Sequence, residues 1–241
     1  MKSSRLLVAV AASCLIAAIS QAADSASISG KITFDGTPPK QKKIKTDADA
    51  KCAEMHADSP LLNEEVVVNG DGTVKNVFVY IKSGLGDKTY DTPGAPVELH
   101  QTGCHYVPHV FGMMAKQKLQ IINDDDTLHN IHAMPQVDGN REFNQGQPNK
   151  GMSMIKTFAV PEIMVHFKCD VHPWMSAYVG VMSNPFYSVT GDDGTFSLKG
   201  LPAGEYVVAA WQEKYGEKTQ TIKVGDGEAK AVNFTFSKPA E

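Results

Sequence analysis

Residues 165–175 read VHFKCDVHPWM. Val165, Phe167 and Cys169 alternate with His166 and Lys168, the two-residue period of a strand with one face in a core, so Cys169 is expected to point inward at the strand end. Beyond it Cys169, His172 and Met175 place a thiol, an imidazole and a thioether at intervals of three on a tight loop. Upstream, residues 118–135, KLQIINDDDTLHNIHAMP, give a strand, a DDDT turn and then His129, where the chain is expected to leave the sheet.

The same strand-and-turn grammar extends outward. Residues 28–34, ISGKITF, set Ile28, Ile32 and Phe34 on one face, and DGTPP supplies the exit turn. Residues 66–82, VVVNGDGTVKNVFVYIK, are two apolar, β-branched runs joined across Asn69–Gly72, a strong hairpin signal. After residue 186, turns at DDG, LPAG and GDG separate alternating runs at the spacing of a small β-sandwich. Residues 40–60, KQKKIKTDADAKCAEMHADSP, have little periodicity and read as a solvated connection or short helix. The chain is therefore expected to be all-β. Its expected divisions are a leader at 1–22, an N-terminal β segment at 23–95, a middle domain at 96–183 and a small C-terminal sandwich at 184–241, with the break near Asn184 and Pro185.

Lys2 and Arg5 before the apolar run from Leu6 to Ile19 have the layout of a secretory signal peptide cleaved after Ala22; lipid attachment at Cys14 is the weaker alternative. The mature chain is then periplasmic or secreted, with no transmembrane segment expected in it. Loss of those two basic residues moves the formal charge from −4 to −6, which argues against a nucleic-acid partner. Three cysteines remain, an odd number for an oxidising compartment. Cys169 alone has metal-ligand company, so Cys52 and Cys104 are read as a disulfide tying the N-terminal segment to the middle domain. The competing use of Cys104 with His105 and His109 as a second metal site suffers because neighbours on a strand point to opposite faces.

A thiolate, two imidazoles and a weak thioether suit an ion that shuttles between one-electron states, so Cys169, His129, His172 and Met175 point to one copper ion. Taken singly, each of these residues reads better as a structural residue of the core; it is their combination that points to a metal. Zinc is the competing ion, though Met175 is a poor substitute for the further thiolate or carboxylate that zinc prefers. No coordination position is left for a substrate, so electron transfer is expected and enzymatic activity is not.

LHNIH and CDVHPWM resemble the ligand loops of the cupredoxins, and the Cys-x2-His-x2-Met spacing is closest to the amicyanin type found among methylamine-utilisation copper proteins. The resemblance spans roughly residues 96–183. It implies a Greek-key sandwich with copper at one end, Asn130 bracing the two ligand loops, and the exposed edge of His172 as the electron port. Pro173 and Trp174 would then belong to an apolar docking patch for a redox protein such as a cytochrome or a dehydrogenase. Ala115, Lys116 and Gln117 depart from the family's usual Gly-Asp pair. VTGDDGTFSLKGLPAGEYVVAAW resembles the carboxypeptidase regulatory-like modules of transthyretin type, and ISGKITFDGTPP their first strand, so the copper domain is possible as an insertion between the two. His132 and His166 are taken as neighbours of the site and not ligands. Copper delivery in homeostasis and a purely structural role are the alternative functions.

Overall fold

The structure is a computed structural model that describes residues 25–239; the expected leader, with Cys14 and Ala22, lies outside the described residues. Among the described residues the chain is all-β apart from one short helix, Ala50–Met55, and no helix there is long and apolar enough to cross a membrane.

The strands form two sandwiches. In the larger, one sheet runs in the order Phe143–Gln147, His129–Met134, Glu162–Lys168, Ser176–Met182, Val110–Met114. Facing it is a sheet in the order Ser153–Lys156, Leu119–Asn123, Val97–Thr102, His105–Val107. Val97–Thr102 lies parallel to Leu119–Asn123, and Val110–Met114 parallel to Ser176–Met182. Parallel neighbours need crossover connections, so the chain passes repeatedly between the sheets. The inward residues expected from alternation, Val165, Phe167 and Cys169, are buried there with Leu99, Tyr106, Ile121, Ile131 and Phe158.

The smaller sandwich is not confined to 184–241. Its first sheet sets Ala26–Asp35 between Thr195–Leu201 on one side and Ala229–Ala231 followed by Phe234–Ser237 on the other. Its second sheet runs Tyr187–Val189, Phe78–Ser83, Gly204–Gln212, Gly216–Val224. Two strands from the expected N-terminal segment thus complete it, and the larger sandwich is inserted between residues 83 and 187. Ile28 and Ile32 carry their alternation into a core with Val79, Ile81, Phe196, Leu198 and Phe236. The expected hairpin forms only as Val67–Val68 against Val74–Lys75; at Asn76, φ 62°, the chain turns away, and Phe78–Ser83 joins the other sheet.

A third apolar cluster, Phe78, Tyr80, Val110, Met182 and Ala209, joins the two sandwiches. Gly112 and Gly180 face each other in register, and a Cβ on either would overlap the ring of Phe78. The paired glycines therefore make a flat seat for that ring, whose full burial contributes roughly 1.5–3 kcal/mol.

Candidate metal centre

The site lies at one end of the larger sandwich. His129 is the first residue of the strand His129–Met134, so the chain enters the sheet there and does not leave it as expected. The preceding turn is templated by Asn123, whose Oδ1 accepts the Asp125 N–H (2.9 Å) and whose Nδ2 donates to the Thr127 carbonyl (2.9 Å). Cys169 directly follows Glu162–Lys168, and its loop closes on itself. The Met175 N–H donates to the His172 carbonyl (2.9 Å), the Cys169 N–H to the Met175 carbonyl (3.3 Å), and the His172 N–H to Cys169 Sγ (3.3 Å).

This brings the expected donors together. One ligand atom each of His129, Cys169 and His172 lie within 4.8 Å of one another. The two Nδ1 atoms are 2.9 Å apart, and His172 Nδ1 is 3.9 Å from Cys169 Sγ. Met175 is fully buried in the same core cluster as Cys169. Asn130 links the two loops: its Oδ1 accepts the N–H of Asp170 (2.7 Å) and of Val171 (3.2 Å) and the Cys169 thiol (3.2 Å). Pro173 is exposed, whereas Trp174 is half-buried, donating Nε1–H to the Cys104 carbonyl (2.9 Å) with its ring 5.0 Å from that of His172.

The expected open edge of His172 is absent. Its relative exposure is 1 %, and its outer nitrogen, Nε2, sits 3.2 Å from Asp49 Oδ2 and 3.8 Å from Cys52 Sγ. The segment read as a solvated connection or short helix is what covers it, and Ala50–Met55 is that helix. Asp49 is the N-cap of Ala50–Met55: its Oδ1 accepts the N–H of Lys51 (2.8 Å) and Cys52 (3.1 Å), satisfying donors that the helix leaves free, and its Oδ2 also accepts the Thr127 hydroxyl (3.0 Å). Cys52 is bonded to Cys104, as the cysteine count had implied.

His129 is held in a matching way. Its Nε2 donates to Asp125 Oδ2 (2.9 Å), and the Asp125 carboxylate also accepts the N–H of Gly103 and Cys104 (both 2.8 Å). Gly103 and Cys104 are the central pair of a two-residue hairpin turn with φ of 60° and 56°, the left-handed pairing such turns need. A non-glycine residue is uncommon there, and here Asp125 and the disulfide hold it. Asp125 and Asp49 are the site residues that sequence reasoning missed. An N-cap aspartate before AKCAEM was a readable signal for Asp49; nothing in DDDT singled out Asp125.

The electrostatics follow from these contacts. Burial pushes the Cys169 thiol up, but hydrogen bonding with His129 and His172 outweighs it and brings the pKa down to about 6, so the thiolate is accessible at neutral pH. Burial opposes protonation of His129, yet its bonds to Asp125 and Cys169 raise its pKa overall. Asp49 is lowered to about 2: desolvation works against this, and hydrogen bonds from the Cys52 N–H and His172 prevail. With the outer nitrogens donating to carboxylates, each neutral ring keeps its lone pair on the inner nitrogen, and the two inner nitrogens face each other at 2.9 Å.

The other candidates do not gather. His132 reaches Asp170 (3.1 Å) and Glu142 (2.6 Å), and His166 bonds the Ser176 hydroxyl (2.9 Å) and stacks on Tyr178. His105 bonds the Gly103 carbonyl, while His109 bridges the Ser176 carbonyl and Glu213, so neither joins Cys104 in a metal-binding group among the described residues.

Residues 176–237 match the family model of the carboxypeptidase regulatory-like domain. No curated protein matches the chain in sequence. Among solved structures, the chain is similar to a copper-containing nitrite reductase from Thermus scotoductus SA-01, at 18% identity and TM-score 0.34 over 40% of this chain, and it spans only 26% of that reductase. It is also similar to a purple cupredoxin from Nitrosopumilus maritimus (22% identity, TM-score 0.31, 36% of this chain and 99% of that one). A cuprous amicyanin variant gives 18% identity and TM-score 0.32 over 43% of this chain and 98% of that one.

Proposed function

We propose that this chain is a mononuclear copper protein, periplasmic or secreted, that passes single electrons between redox partners and turns over no substrate. The observation that carries this reading is the buried convergence of His129, Cys169 and His172, with Met175 buried in the same apolar cluster as Cys169.

The donor set fits copper on chemical grounds. A thiolate with two imidazoles accommodates both cuprous and cupric ion, and a thioether adds a weak fourth contact that zinc has little use for. A copper ion bound there supplies the one-electron couple. The chain does the rest: Cys169 offers a thiolate at neutral pH, His129 and His172 face it through their inner nitrogens, Asn130 fixes the spacing of the two loops, and burial excludes water. A frame this tightly bonded limits rearrangement when the charge changes. The partner is a redox protein of the cytochrome or dehydrogenase kind, and its contact is not an exposed His172 edge, because Asp49 and the disulfide lie over it.

The test is to load the purified protein with one equivalent of cupric ion and cycle it with mild reductant and oxidant beside a cuprous chelator. Electron transfer predicts a visible band that bleaches and returns with copper retained. Release of copper to the chelator on reduction would indicate delivery instead, and failure to take up copper would end the reading.

A further inference from the structure

Both imidazoles of the site are engaged from behind by a carboxylate, and the two carboxylates come from places far apart in the chain: Asp49 from the helix cap, Asp125 from the turn before His129. Each also accepts two backbone N–H groups, which fixes where its oxygens lie. The Cys52–Cys104 bridge connects the two supports, since Cys52 is one amide donor to Asp49 and Cys104 is one to Asp125. The result is a closed ring of contacts around the outer faces of His129 and His172.

We propose that Asp49 and Asp125 are positioning residues of the metal centre, each accepting the outer N–H of one imidazole so that the inner nitrogens present lone pairs towards Cys169, and that their two negative charges favour the more oxidised ion. The inference rests on the copper reading above. A ligand histidine whose second nitrogen donates to a carboxylate is fixed in tautomer and orientation and becomes a more basic ligand. The carboxylates also act through their charge. Cys169 as thiolate and two carboxylates place three negative charges against one cation, and in a site closed to water the higher cationic charge gains more from them. A chain with neutral acceptors at these positions therefore holds the cuprous state more readily.

The experiment measures the reduction potential of the copper-loaded protein by spectroelectrochemistry, for wild type, Asp49→Asn and Asp125→Asn. Asparagine caps a helix as well as aspartate does, so Asp49→Asn removes the charge and keeps the helix start. The expected result is a rise in potential for each variant, of about tenfold in the cuprous-to-cupric ratio at fixed poise, or about 59 mV for a one-electron couple. A merely structural role would lower the unfolding midpoint and leave the potential where it was. Should Asp125→Asn fail to fold, Asp49→Asn decides alone. A wild type with no thiolate-to-copper band would sink the copper reading; a wild type with that band and an Asp49→Asn variant of unchanged potential would sink this inference and leave the reading intact.

Discussion

The two sandwiches follow one pattern of strand alternation and differ in what they bury at their ends. The smaller closes over apolar side chains, with Ile28, Phe196, Leu198 and Phe236 buried in one core. The larger has a comparable apolar body, yet at one end it buries His129, His172, Asp125, Asn123 and Gln147 in a hydrogen-bonded network. Apolar packing depends on volume and tolerates exchange, whereas a buried polar network depends on every member being satisfied. Stability should therefore be most sensitive in one region, and metal chemistry in the other.

Phe236→Ala should cost the most, about 3–5 kcal/mol for a fully buried ring, read as a fall in the denaturation midpoint. The copper spectrum of the folded fraction should not change; a changed spectrum would mean that the two regions are not separable. Replacing Cys52 and Cys104 together by serine should cost about 2–4 kcal/mol, because the bridge spans 52 residues of chain. This variant, unlike Phe236→Ala, should also lose its copper faster to a chelator, since the cover over His172 is no longer pinned. Equal rates in the two variants would contradict the covering role.

Gly180→Ala probes the seam. Its Cβ would meet the Phe78 ring, and the overpacking should cost about 1–3 kcal/mol with the copper spectrum retained. The smallest effect, on the order of 1 kcal/mol, belongs to the pair between His109 and Glu213, which links the sandwiches at 2.6 Å. Burial lowers the pKa of His109, but the Glu213 carboxylate more than compensates and the net shift is upward from 6.5. A raised folded pKa means that this stabilisation is complete below 6.5 and is lost as the pH rises through the folded value. The stability gap between wild type and Glu213→Gln should accordingly be widest on the acid side of neutrality and close in alkali; a gap independent of pH would assign it to packing.

The gathering of His129, Cys169 and His172 was legible because a thiol and imidazoles at short intervals after an alternating strand have few other uses together, and Cys169, His172 and Met175 share one loop. The all-β class was legible from alternation and turns. What escaped was long-range or locally ambiguous. Pairing of Ala26–Asp35 with Thr195–Leu201 joins segments some 170 residues apart, and only the likeness of ISGKITF to a module's first strand hinted at it. Asp49 stands in a charged run that looks solvated, and Asp125 among three successive aspartates. Both acquire their role only when folding brings an imidazole to them, and for the same reason the closed edge of His172 could not be foreseen from its loop.

The most direct test of the centre is the absorption spectrum of the cupric-loaded protein beside that of Cys169→Ser. Wild type should show an intense visible band from a thiolate bound to copper, and the serine variant should lack it while the unfolding free energy of the metal-free protein changes by no more than about 1 kcal/mol. Identical spectra from the two proteins would contradict the account at its root.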